Sequence, residues 1–185
     1  MDSGAEHYRR YLAGDDGSFS PLARDYRDGL IFYLNRLVHD PTLAEELTED
    51  TFFKLAAHRP HYNGRASFKT WLYTIARNTA LDHLRRQKRL SLFSLEALPR
   101  EAAAADDPEQ GFLTRERDLQ LHRALNRLPL PYRQVLHLTY FEGFSNAETG
   151  AILKKSRRQV ENLLTRARKA LREQLKQEGL SDEDL

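Results

Sequence analysis

The 185-residue sequence contains no cysteine, one tryptophan and one methionine. Without cysteine there is no disulfide framework, no thiolate nucleophile and no zinc–thiolate site, and the composition suits a reducing compartment. No apolar run approaches the roughly 20 residues needed to span a bilayer, and the stretch from Met1 to Gly17 is too polar for a secretory leader. The expected location is the cytoplasm, with no direct membrane insertion. Metal ligation finds little support. His58 and His61 have helical spacing, but Pro60 breaks the helix between them, and no carboxylate or cysteine completes a set. The seven histidines read as surface or core residues; no catalytic residue, metal or cofactor is expected.

Net charge is almost absent too, at +2, but the sum hides a strong segregation. From Arg65 to Arg89 seven cations stand against Asp82 alone, and from Lys154 to Arg172 eight stand against Glu161 alone. The stretch Asp40 to Asp50 holds five carboxylates and no cation, and Glu96 to Asp118 holds seven against three. Two separate basic stretches in one chain point to two polyanion-facing surfaces.

Strand alternation is lacking throughout, and the apolar residues recur at helical spacing. A first helix is expected to start at Ser20 with Pro21 at the first helical position, presenting Leu22, Tyr26, Leu30, Leu34 and Leu37 on one face. Asp40-Pro41 opens a second, with Leu43, Leu47, Thr51 and Leu55 as its stripe and its acids near the start, where the helix dipole favours them. It stops before Pro60. His61 to Ala66 reads as a loop, and Ser67 as the cap of a long helix to about Arg89, with Phe68, Leu72, Ile75, Ala76 and Thr79 buried. From about Ser91 to Asp107 Pro99, an alanine run and an acidic cluster break the pattern, as an interdomain linker does.

Beyond it a helix from near Pro108 carries Leu113, Leu119, Leu121, Leu125 and Leu128 and ends at Pro129-Leu130-Pro131; another spans Tyr132 to Phe141, before Gly143. Ser145 and Glu148 form a capping box ahead of a short helix ending near Leu153. After Lys154-Lys155, Ser156 caps a basic helix through about Gln177. Short helix, tight turn and long basic helix make a helix-turn-helix.

In that arrangement the second helix enters the major groove with its first residues at the base edges. Arginine pairs with guanine, glutamine or asparagine with adenine, and glutamate accepts from cytosine. Arg157, Arg158, Gln159, Glu161 and Asn162 supply this chemistry; Arg166, Arg168, Lys169 and Arg172 suit phosphates. Val160, Leu163, Leu164 and Leu171 are its core stripe. The Arg65 to Arg89 stretch mixes its cations with Phe68, Trp71, Tyr73 and Asn78, the combination that suits unstacked bases. Phe68 reads as core; Trp71 fits core or stacking equally.

Three segments, Leu47-Thr48-Glu49-Asp50-Thr51-Phe52, Gly64 to Asn78 and Leu81-Asp82-His83-Leu84-Arg85-Arg86, resemble region two of the extracytoplasmic-function sigma factors of bacterial RNA polymerase. Leu128-Pro129, Tyr140 to Ser145 and Arg166 to Arg172 resemble region four. The resemblance implies an all-α protein of two small helical domains joined by a flexible linker: a lead segment at 1–19, region two at 20–93, the linker at 94–110, region four at 111–178 and an acidic tail at 179–185.

It further implies a non-catalytic subunit that binds core polymerase through the beta-prime clamp helices and the beta flap, and that recognises the minus-ten and minus-thirty-five promoter elements. Glu45, Glu46, Glu49, Asp50 and Phe53 would face polymerase. The loop from Tyr62 to Ser67 would hold an extruded base. Asn63, Arg65, Ser67, Lys69, Trp71, Arg77, Asn78, Leu81, Arg85 and Arg86 would serve the minus-ten element. Arg157, Arg158, Gln159, Glu161, Asn162, Arg166, Arg168 and Lys169 would serve the minus-thirty-five element. An anti-sigma factor is an implied partner. Thr74 and Ile75 stand where housekeeping sigma factors carry paired tryptophans, a difference the subgroup shares; the chain departs from the family pattern where Lys154 replaces a turn glycine, Lys155 an apolar residue, and Glu161 and Leu163 commonly basic residues. The rival is a one-component helix-turn-helix regulator acting without polymerase, which leaves the aromatic basic helix unexplained.

Overall fold

The computed structural model describes residues 2–93 and 112–177, with side chains described for 2–90 and 120–177. Every regular element among the described residues is helical, and the chain divides into two compact units, Met1–Ala103 and Ala104–Leu185. The expected linker and acidic tail lie outside the described residues, as do the side chains of Leu113 and Leu119.

The first unit contains α1 (Ser3–Leu12), α2 (Phe19–Val38), α3 (Pro41–His58) and α4 (Phe68–Phe93). The last three pack mutually as a bundle, and α1 lies on α2 and α4. Leu22, Leu30, Leu34, Leu37, Leu47, Leu55, Phe68 and Leu72 fill the core, joined by Tyr8, Tyr33 and Tyr73. Buried Thr48 and Thr51 return their hydroxyls to Ala44 O and Leu47 O at 2.8 and 2.7 Å, so burial strands neither donor.

Two expectations need correction. Residues 1–19 are not a mere lead segment, because α1 buries Ala5, Tyr8 and Tyr11 in the bundle. Nor does α2 start at Ser20 with Pro21 first. A single 3₁₀ turn, Asp16–Ser18, runs straight into the helix at Phe19, and the buried Ser18 hydroxyl donates to Asp15 at 2.6 Å. Pro21 sits one turn in, where its missing N–H would have had no intrahelical acceptor. By contrast Asp40 caps α3 as expected, accepting from Leu43 N at 3.1 Å, and Arg59 ends that helix in the left-handed region ahead of Pro60.

The second unit contains α5 (Phe112–Arg127), α6 (Leu130–Leu136), α7 (Asn146–Leu153) and α8 (Arg157–Gln177), with α8 packed on the other three. The α6 helix starts two residues before the expected Tyr132, since Pro131 fits a first turn. Its continuation, His137–Phe141, is a wider π turn: Glu142 N–H reaches His137 O at 3.1 Å. Gly143 then turns with positive φ and the capping box of Ser145 and Glu148 opens α7.

Candidate nucleic-acid interfaces

The α8 helix divides cleanly. Val160, Leu163, Leu164, Ala167 and Leu175 are buried, while Arg157, Arg158, Glu161, Asn162, Thr165, Arg168, Lys169 and Arg172 are exposed. At 3.6 residues per turn the exposed set spans an arc of about 140° opposite the stripe of Val160, Leu163, Leu164 and Ala167, with Arg166 beyond its margin and Leu175, five turns on, beneath Arg157. Within this face the first turn has its own internal bonds. Arg157 Nε donates to Glu161 Oε1 at 2.9 Å, one turn on. Gln159 is engaged locally through its side-chain oxygen. Its side-chain carbonyl accepts from Ser156 N at 2.8 Å while its own N–H meets Ser156 Oγ at 3.2 Å, a second reciprocal cap. A serine three residues before a glutamine was the signal for this.

The turn before α8 is tight. Lys154 lies in the left-handed region at φ 56°, and both its N–H and that of Lys155 go to Gly150 O. A Cβ on Gly150 would stand 2.6 Å from the Lys155 carbonyl oxygen, so α7 can approach the turn only at glycine.

In the first unit, α3 buries Ala44, Leu47, Thr48, Thr51 and Leu55, which turns Glu45, Glu46, Glu49, Asp50 and Phe53 outward together. Phe53 is 65% exposed and sits at the angular centre of the four carboxylates. Beside it, a groove of about 200 Å³ between α3 and α4 is lined by Asp50, Phe53, Lys54, His58, Asp82, His83 and Arg86. Arg86 thus lies with the α3 face, apart from the stripe of Arg77, Asn78, Leu81 and Arg85 on α4. Arg85 pairs with Asp82 at 3.0 Å.

The loop between α3 and α4 exposes His61, Asn63, Gly64, Arg65 and Ser67. Asn63 Oδ1 accepts from Arg65 N at 3.0 Å, which leaves its amide NH₂ as a donor, and Gly64 takes the positive φ of 69° that this turn requires. The Ser67 hydroxyl serves as a cap: it accepts from Thr70 N at 3.2 Å and lies 2.8 Å from Thr70 Oγ1. Half-buried Trp71 has the rings of Tyr62, Tyr8 and Phe68 at 5.1, 5.3 and 5.4 Å. The indole therefore belongs to an aromatic cluster at the base of this loop. Lys69 Nζ stands 5.5 Å over the Tyr73 ring. Burial pushes the hydroxyls of Tyr8, Tyr26 and Tyr62 up, that of Tyr8 to about 12. Sequence reasoning did not single out Tyr8, Tyr11 or Asp2, whose partners lie far along the chain. Among the described residues no three metal-ligating side chains converge, and no helix is long and apolar enough to cross a membrane.

Comparison with known proteins places both units. Residues 22–90 match the family model for Sigma-70 region 2, and residues 118–171 that for Sigma-70, region 4. The chain is 29% identical over 170 residues to the RNA polymerase sigma-H factor of Pseudomonas aeruginosa, covering 88% of each. It is 31% identical to the RNA polymerase sigma factor YlaC of Bacillus subtilis, over 85% of this chain and 92% of that one. It is 28% identical to the ECF RNA polymerase sigma factor SigW of the same organism, over 88% and 91%. Among solved structures it superposes on the sigma factor RpoE, crystallised with the anti-sigma factor NepR from Bartonella quintana. There the TM-score is 0.74 and the identity 28%, over 85% of this chain and 96% of RpoE.

Proposed function

This chain belongs to the extracytoplasmic-function sigma factors of bacterial RNA polymerase, and from that membership we propose how its parts divide the work. It binds core polymerase and directs promoter-specific initiation of transcription. The observation that carries the division is that one chain holds an acidic helix face centred on an exposed phenylalanine and two distinct basic surfaces, one with aromatics and one on a helix-turn-helix.

The α3 face docks on polymerase. Phe53 supplies apolar area that is desolvated on contact, and Glu45, Glu46, Glu49 and Asp50 around it fix encounter and register by charge. The loop from Tyr62 to Ser67 receives a base extruded from the minus-ten element, with the Asn63 NH₂ offering a donor. Extrusion costs a few kcal/mol, so the pocket has to be ready-formed. Arg65, Lys69, Arg77 and Arg85 carry the phosphates of the opened strand, with Asn78 and Leu81 along the same track. Arg86, in the groove beside Phe53, fits the polymerase contact better than the DNA track.

In the second unit Arg157, Arg158, Glu161 and Asn162 read the minus-thirty-five element, and Arg166, Arg168, Lys169 and Arg172 neutralise its backbone. The protein works in the cytoplasm and contributes binding and DNA opening rather than a reaction of its own. An anti-sigma factor that covers the α3 face or α8 is the expected regulator, a reading supported by the likeness to RpoE held by NepR. Gel mobility of a promoter fragment separates this from a one-component regulator. The sigma factor retards the fragment only together with core polymerase, whereas specific retardation by the protein alone, at equal salt, argues for the regulator.

A further inference from the structure

The α1 helix touches both ends of the loop assigned to the extruded base. At the entry, Tyr8 donates to Pro60 O at 2.8 Å and Tyr11 to Ala56 O at 3.2 Å, the latter a carbonyl in the last turn of α3. The Arg59 guanidinium lies 4.9 Å over the Tyr11 ring. At the exit, Asp2 accepts from Ala5 N at 3.2 Å and from Phe68 N at 2.7 Å, so one carboxylate caps α1 and α4 together. Gly4 sets the closeness of this contact: a Cβ there would stand 2.4 Å from Tyr26 Oη and 2.6 Å from Phe68. Between these anchors, the Tyr62 hydroxyl donates to Ala66 O at 2.5 Å and its ring packs tilted on Trp71 and edge-on to Phe68.

We propose that α1 is a positioning element for promoter opening, with Tyr8, Tyr11 and Asp2 holding the Arg59 to Ser67 loop in its base-receiving shape. The inference rests on the assignment of that loop to the minus-ten element and adds the residues that set its specificity. The helix acts by preorganisation. A loop fastened at both ends to a packed helix has its ordering cost met at folding rather than at the moment of base capture. A side chain that only added stability to the bundle would change how much protein is active. It would not change which base the active protein prefers.

The test uses the full chain with core polymerase on a promoter library randomised separately at the minus-ten and minus-thirty-five elements, with transcripts sequenced. Tyr8→Phe and Tyr11→Phe each keep the ring and remove one hydroxyl; Asp2→Asn is a third, independent variant. The expected result is a loss of about threefold or more in base discrimination at minus-ten positions, the size of one hydrogen bond, with minus-thirty-five preferences unchanged. A uniform fall in transcript number with every preference intact overturns the proposal, as does wild-type discrimination in all three variants. Should the unaltered protein itself show no minus-ten preference, the assignment of the loop fails, and the role of α1 with it.

Discussion

Replacing Gly150 by alanine sets two physical effects against each other. Gly150 lies inside α7, where alanine favours the helix by about 1 kcal/mol through its smaller backbone entropy loss. Its Cβ, however, would stand 2.6 Å from the Lys155 carbonyl oxygen, a main-chain atom in a turn already tied back to Gly150 O by the Lys155 N–H at 2.9 Å. Nothing flexible is available to move, so the turn must open, an overpacking cost of roughly 1–3 kcal/mol. Sterics outweigh propensity. The expected net loss is about 1 kcal/mol, read as a roughly fivefold fall in hydrogen-exchange protection of α7 and α8 amides in the intact chain. Lys154→Gly has the opposite sign. Relief of a left-handed lysine is worth about 1–2 kcal/mol, of which glycine's unfolded-state freedom removes roughly 0.5–1. Greater protection in Gly150→Ala, or lower protection in Lys154→Gly, would refute this account of the turn.

Four further outcomes are expected. Reversing Glu46 and Asp50 to lysine weakens binding to core polymerase by about tenfold or more, and Phe53→Ala by a similar factor; unchanged affinity in a titration counts against the α3 face. Glu161→Ala releases Arg157 from its 2.9 Å partner and relaxes preference at one or two minus-thirty-five positions by about 1–3 kcal/mol, measured on a promoter library. Arg168→Ala lowers binding on all promoters alike and reduces the slope of log affinity against log salt by about one. Alkaline stability follows from Tyr8, whose hydroxyl burial raises from 10.0 to about 12. A raised pKa means that the fold holds the proton the unfolded chain gives up. The contribution is whole below pH 10 and is lost as pH rises through about 12, so a circular-dichroism titration of Tyr8→Phe declines less over that range.

The helical plan was legible wherever its signals are local. Asp40-Pro41, the Ser145/Glu148 box and the apolar stripes of α3 and α8 name their own structures, and the outward acidic face of α3 follows directly from its buried stripe. Lys154 was legible as a residue in a glycine's place. Elements whose meaning depends on distant partners were not. Tyr8 and Tyr11 find their acceptors at Pro60 and Ala56, and Asp2 caps a helix that begins at Phe68. A polar amino-terminal stretch therefore reads only as a lead segment. Trp71 illustrates the same limit: spacing on α4 alone cannot reveal the Tyr8 ring brought by α1. Charge alone groups Arg86 with Arg85, yet one helical step turns it to the groove beside Phe53. Gln159 offers amide hydrogen-bonding chemistry at the start of α8, but its side-chain oxygen goes to the cap at Ser156.

This chain confers promoter choice on polymerase. Sequencing of transcript starts on fragmented bacterial genomic DNA, with core polymerase alone and with the protein added, tests it most directly. New starts sharing two upstream elements at constant separation are expected, and they should vanish when Glu46 and Asp50 are reversed to lysine. An unchanged set of starts, with the protein still bound to duplex DNA in the absence of core, would contradict it.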